Sequence, residues 1–378
     1  MSAPAAERAG AGASGRSARD GDGLSAGAWH LLAHLDVVAG RVRAVVDELR
    51  AVDPDPDDRF RGLYVSDEQA DALLGGPVPS AATGAWIPGD DPVTAQLEAT
   101  ADRLEGAGAD LPLRRLGRDF GLSPADVELL VVALAPDVDP RFERLYGYLN
   151  DDVTRRRASV ALALRLCGAR LDDGSARARL GDAAPLVAGG LLEVEEPDQP
   201  HLRRSLRVPD RVVAHLLGDP TPEAVVTRIL DPGSSAHRPG GPTWAAATSV
   251  EPLVRAVRAG RPLVYVHEEA GASALDLVWA AAAELDLPVL AVDMARLGPD
   301  DVAATAVRAA LRECRLTGRL LLCGPVEELA ARHPAALRML TDDRGPLVLR
   351  GRSTWDPSWS ALPPVVLEAR RRVTSSLR

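Results

Sequence analysis

The sequence predicts an α/β protein in two unlike halves, a helical front half and a back half built on a parallel sheet. Three observations carry this. Up to about residue 218, apolar residues recur mainly at helical spacing between recognisable helix caps. Beyond residue 243, continuous apolar runs of strand length alternate with helical segments, the pattern of strands buried on both faces. Between the halves stands DPGSSAHRPGGP (231–242), a stretch of chain breakers. With 378 residues and 46% hydrophobic content, the chain is long enough for two or three domains with cores of their own.

In chain order, residues 1–24 are Ala, Gly, Ser and Arg without an apolar run, and read as a disordered tail rather than a secretory signal. A helical region and linker follow at 25–92. Leu31, Leu32, Leu35, Val38, Val42, Val45, Val46 and Leu49 fall near a 3.6-residue period. Ser66 before Asp67 and Glu68 starts a short helix ending near Leu74, and Pro, Gly and Ala from Gly75 to Pro92 make a linker.

The unit 93–218 opens with a helix ending near Phe120 and Gly121. Ser123 is a good N-cap, Pro124 suits the first helical position, and Asp126 suits the positive helix end. Val127, Leu130, Val131 and Leu134 then form one buried face, giving a helix–turn–helix outline. A further helix spans about Ser159 to Cys167. LLEVE (191–195) and LRRSLRV (202–208), joined through Pro and Asp, read as a hairpin. Helices followed by such a hairpin make a winged helix, which DRVVAHLLG closes. Residues 219–242 read as a linker.

The unit 243–378 alternates. Helices are expected at 250–259, 274–285, 299–314 and 325–340. Strands are expected at 263–266, 288–294, 320–323, 347–350 and 365–369.

Composition narrows the chemistry. The chain holds 54 acidic and 44 basic residues, every basic one an arginine, for a net charge of −10. Long-range attraction to nucleic acid or an anionic membrane is not expected. Without lysine there is no Schiff base and no ammonium to neutralise a phosphate. Cys167, Cys314 and Cys323 are far apart in apolar runs and read as buried free thiols in a reduced, cytoplasmic setting. The run from Leu275 to Val292 is broken by Asp276, Glu284, Asp286 and Pro288 and cannot span a bilayer.

The stretch LVYVHEEAGASALDL (263–277) has the outline of a phosphate-binding strand, loop and helix. The working frame is G-x-x-x-x-G-K-[ST]. Here Glu268 takes the first Gly, Ser273 the second, Ala274 the Lys and Leu275 the Ser or Thr, while Gly271 stands at a variable position. A carboxylate about 5 Å from a phosphate oxygen repels it by about 3 kcal/mol at an effective dielectric near 20. The strand that should end in Mg²⁺-binding acids ends in Gly324 and Pro325, with Glu327 and Glu328 inside the next helix.

With those positions in hand, residues 243–378 resemble the first half of an AAA+ ATPase core whose catalytic motifs are lost, a degenerate P-loop domain lacking the lid. FRGLYVSDEQADALLGG, LRRLGRDFGLSPADVELLVVALAPDVDPRFERLYGYLNDDVTRRRASVALAL and PLVAGGLLEVEEPD with LRRSLRVPDRVVAHLLG resemble the front part of a bacterial winged-helix AAA+ ATPase family of the type encoded with contractile injection systems. The resemblance covers about residues 25–370 and is most specific over 110–215. It implies a winged helix, one degenerate and one active ATPase module, and ATP with Mg²⁺. This sequence holds only the degenerate core, so no cofactor is expected. A monomer or small oligomer is expected, because no lid follows the last strand.

The functional expectation is a non-catalytic adaptor or docking module. Its protein partner, by the resemblance, is an active AAA+ ATPase or an injection-system component, reached through residues 25–218. Two alternatives stay open: the front part of a split ATPase whose hydrolysing module lies elsewhere, and a winged-helix DNA-binding regulator. For the last, Arg203, Arg204 and Arg207 are the basic wing residues, faced by Glu193, Glu195 and Glu196. The helix after Ser123 starts acidic, with Asp126 and Glu128. Arg155, Arg156 and Arg157 read as ion-paired surface. Trp355 and Trp359 read as loop anchors on the core. His201, His237, His267 and His333 show no metal spacing.

Overall fold

A computed structural model describes residues 24–52, 91–233, 249–260, 263–298 and 302–370. The helix expected at 66–74, most of the first linker, residues 234–242 of the second, nearly all of the N-terminal tail, His237, Arg371 and Arg372 lie outside the described residues.

Helix α1 (Ala26–Val52) starts on Ser25, whose hydroxyl accepts from the Ala28 N–H at 3.2 Å. Its periodic face is buried at Leu31, Leu35, Val38, Val42 and Val45, while Leu32 is exposed. Helix α2 (Pro92–Gly106) is capped by the Asp91 carboxylate, which accepts from Val93 and Thr94 N–H. Helices α3 (Pro112–Asp119) and α4 (Pro124–Val138) flank Gly121, whose φ of +63° lets the chain turn. Ser123 and Asp126 make a reciprocal capping box. Helices α5 (Arg141–Leu149), α6 (Val160–Leu166), α7 (Gly174–Ala178) and α8 (Pro185–Ala188) follow.

The hairpin is shorter than the sequence suggests. Strands β1 (Glu193–Val194) and β2 (Leu206–Arg207) pair antiparallel over two residues each, and Ser159 bridges Ser205 beside them. His201–Arg203 forms a turn of 3₁₀ helix in place of extended strand. Helix α9 (Asp210–Leu216) closes the unit.

Helix α4 is the axis of the first core. All residues from Ala125 to Pro136 except Val127 are buried, far more than the one face its spacing suggests. Leu31, Leu35 and Val38 of α1 join the same core. A division between residues 92 and 93 would therefore cut through one hydrophobic cluster.

The second core follows a shorter linker than expected. Helix α10 (Ala224–Ile229) lies within 219–242, with Val226 and Ile229 fully buried. Then come α11 (Glu251–Arg258), β3 (Leu263–Glu268), α12 (Ala274–Leu285), β4 (Val289–Asp293), α13 (Ala303–Thr317), β5 (Leu320–Gly324), α14 (Val326–Arg332), α15 (Pro334–Thr341), β6 (Leu347–Gly351) and β7 (Val365–Ala369).

The five strands form a parallel sheet in the order β4-β5-β6-β3-β7. Alternate strand residues enter opposite cores. Leu263, Tyr265, Leu321 and Leu347 pack with α10, α13, α14 and α15, whereas Val264, Val266, Leu322 and Val348 pack with α11 and α12. Both faces are covered, which is why these strands read as unbroken apolar runs. Trp355 and Trp359 stack on Tyr265, with ring centroids 5.1 and 6.5 Å away, and anchor the loop before β7.

The helix expected over 325–340 is two helices. His333 takes φ −139° and ψ 56°, because the following Pro334 disfavours helical geometry there. No helix among the described residues is long and apolar enough to cross a membrane.

The two cores meet along α13. Leu316 from α13 belongs to the first core. Arg211 of α9 and Glu313 of α13 form a bidentate pair, 2.7 Å from Nε to Oε2 and 3.0 Å from Nη2 to Oε1, with both side chains at most 2% exposed. Arg312 donates to the Gly190 carbonyl at 2.7 Å and pairs with Glu223.

Candidate functional site

Strand β3 delivers its last residue, Glu268, to the carboxyl edge of the sheet. There β3 lies between β6 and β7, strands reached by separate crossovers. Ligands of open parallel sheets bind at such switch points, against the helix that follows the strand.

In this chain that place holds a side chain. The Glu268 Oε1 accepts from the Ala274 N–H at 2.8 Å, at the first residue of α12. A carboxylate therefore sits on the positive end of the helix, a kind of position at which anions bind. Its Oε2 lies 3.8 Å from Arg350 Nη1, and Arg350 Nη2 is 2.7 Å from Asp231 and 4.0 Å from Asp293. One guanidinium thus gathers three carboxylates from β3, β4 and the segment after α10.

The other loop positions are closed in the same way. Gly271 has φ +81°, which only a glycine takes without strain, and turns the chain back towards α12. Ser273 precedes α12 without a side-chain cap. Ala274 is fully buried and Leu275 is 7% exposed, so both point into the core. A Cβ at Gly233 would come within 2.7 Å of the Leu275 side chain. At the end of β5, a Cβ on Gly324 would strike the Arg350 side-chain stem and its carbonyl oxygen. Glu327 accepts from the Arg352 N–H and, at 2.5 Å, from the Ser353 N–H.

Two of the three wing arginines, Arg204 and Arg207, are internally engaged, while the Arg203 side chain is exposed. Arg207 lies 2.8 Å from Glu193 and 3.5 Å from Asp210. Arg204 folds back to the carbonyls of Gln199 and Pro197, at 3.1 and 2.7 Å. The Arg203 carbonyl accepts from Arg155, which also pairs with Asp152 and Glu196. Arg156 and Arg157 pair with Glu143 and Asp137.

The helix after Ser123 is α4, and it is buried. Asp126 pairs with Arg179 at 3.1 Å, and Glu128 pairs with Arg41 at 3.2 Å. It presents no free face for a groove. The helix just before the hairpin is the four-residue α8, and Gly190 beyond it is held by Arg312 of the second core.

A family model described as a winged helix domain, variant, matches residues 26–229, more than half of the chain. The chain belongs to that family. The match takes in α1 and α10, in keeping with the single core that α1 shares with α4. No curated protein and no solved structure matches the chain.

Between the winged helix domain and the sheet domain lies a cleft of about 1030 Å³. Phe120 borders it on one side, and Arg308, Arg315, Arg319 and Arg338 on the other. Arg315 crosses the cleft wall, with its guanidinium carbon 5.6 Å from the Phe120 ring centroid while it pairs with Asp343. All three cysteines are buried, and burial pushes the Cys323 thiol up to about 12, so none is a ready nucleophile.

The sequence pointed to Glu268 as a misplaced acid, but nothing in it pointed to Arg350 or Asp231. These residues are 119 apart and meet only through the sheet. Arg211 and Glu313, 102 apart, are equally silent in the sequence.

Proposed function

We propose that this winged helix protein is a non-catalytic docking module whose sheet domain is a degenerate AAA+-like P-loop core. The Glu268 carboxylate on the N-terminus of α12 carries this reading. It supplies from within the negative charge that a nucleotide would bring, and Arg350 holds it in place. Ala274 and Leu275 offer neither an ammonium nor a hydroxyl, and Gly324 offers no acid. The engagement of Arg204 and Arg207 within the wing and the buried α4 favour a protein partner over DNA. By the resemblance, that partner is an active AAA+ ATPase or an injection-system component.

Purified protein is expected to bind no ATP, with or without Mg²⁺, and to release no phosphate above a no-protein blank. Isothermal titration at millimolar nucleotide and a radiolabelled turnover assay check this. Saturable binding, or turnover that survives successive purification steps, overturns it.

DNA binding is expected to be weak and to fade steeply between about 50 and 200 mM salt, as counterion release requires. A footprint on a defined site at physiological salt would instead support the regulator reading.

A further inference from the structure

We propose that His30, His34 and Glu98 form a zinc site in the winged helix domain. Helix α1 carries the two histidines four residues apart, which stacks both imidazoles on one face of the helix. Helix α2 packs alongside and brings Glu98 to them. The two Nε2 atoms are 3.3 Å apart, and Glu98 Oε1 lies 3.1 Å from His34 Nε2 and 3.6 Å from His30 Nε2. A tetrahedral Zn²⁺ with bonds of about 2.0–2.1 Å needs ligand atoms about 3.3–3.4 Å apart. The three atoms therefore outline one face of a zinc tetrahedron, leaving the fourth position for water. They are the only such group of three among the described residues.

Hydrogen bonding alone accounts poorly for this arrangement. His34 and Glu98 are within bonding distance. The His30 Nε2 is too far from the carboxylate and meets only the other imidazole nitrogen. The residue is 1% exposed, so water does not take the carboxylate's place. Three potential ligand atoms lie within 3.6 Å of one another, and a divalent cation between them satisfies all three at once.

The surroundings suit the metal. Arg114 grips the other carboxylate oxygen, 2.9 Å from Nε to Oε2, and so aims Oε1 at the histidines. Arg114 also pairs with Asp102 and Glu105, and Arg118 pairs with Glu105, which leaves one negative charge in excess around the site. Two imidazoles and one carboxylate make a donor set typical of zinc.

The test is a titration of the full-length, EDTA-treated and desalted chain with Co²⁺. The expected result is one equivalent bound, with the visible absorption of tetrahedral cobalt bleached by Zn²⁺. His34→Ala and Glu98→Gln are each expected to weaken binding at least tenfold. Glu98 is 38% exposed, so Glu98→Gln should keep the fold, and circular dichroism checks this. Wild-type protein that binds no stoichiometric Co²⁺ overturns the proposal. So does binding that is unchanged in folded Glu98→Gln.

Discussion

Arg211→Ala is expected to destabilise the protein by about 3–5 kcal/mol, as is Glu313→Ala. Each leaves one charge stranded where both side chains are at most 2% exposed. Arg211 also donates to the Asp219 carbonyl at 2.9 Å, so its loss opens the chain between α9 and α10 as well. The cost comes from the orphaned partner more than from the lost attraction. The double variant Arg211→Met/Glu313→Leu, which replaces both charges with apolar volume, should therefore recover most of the loss. Urea unfolding of the parent, both single variants and the double variant makes a complete cycle. Single variants within about 1 kcal/mol of the parent would mean that the pair is not buried as described.

The same contact carries a pH dependence. Burial, then the Arg211 charge, lowers His215 from 6.5 to about 4. Its folded value lies below its unfolded value, so the unfolded chain binds the proton more readily. That contribution to stability is complete above about pH 6.5 and is lost as the pH falls towards 4. Arg211→Ala should shrink this acid-side loss.

Most of the framework is legible in the sequence because it rests on local signals. Ser123, Pro124 and Asp126 announce the start of α4 by chemistry confined to four residues. The strands of the sheet declare themselves because helices cover both faces, which leaves no polar alternation to dilute the run. The His333–Pro334 break is just as local, in the residue before a proline, yet the single helix expected over 325–340 passed over it.

What the sequence hides depends on contacts between distant segments. The burial of α4 runs past its apolar face to Asp126 and Glu128, and Arg179 at the end of α7 and Arg41 of α1, together with the Ser123 capping box, make that tolerable. The spacing of α4 alone suggests a surface helix. At the sheet edge, Glu268 is conspicuous as an acid where a phosphate loop would have glycine. Its neutralisation by Arg350, and the place of Asp231 beside it, exist only after β3 and β6 have paired.

Gly324→Asp is expected to destabilise the protein by about 3 kcal/mol or more and to restore no ATP turnover. It returns an acid to the strand end where a hydrolysing site would have one. The space for that side chain is already taken. A Cβ at 324 would strike the Arg350 stem and come within 2.6 Å of the Arg350 carbonyl oxygen. That carbonyl cannot swing away freely, since β5 and β6 are paired up to Cys323 and Leu349. The new carboxylate would also join Asp231, Glu268 and Asp293 around a single guanidinium. Gly324→Ala separates the two effects, because it introduces the same Cβ without the charge. Urea midpoints should fall in the order parent, Gly324→Ala, Gly324→Asp, with most of the loss already present in the alanine variant. A Gly324→Ala protein as stable as the parent would show that Arg350 does not fill this space, and the case for a self-occupied loop would lose its second support.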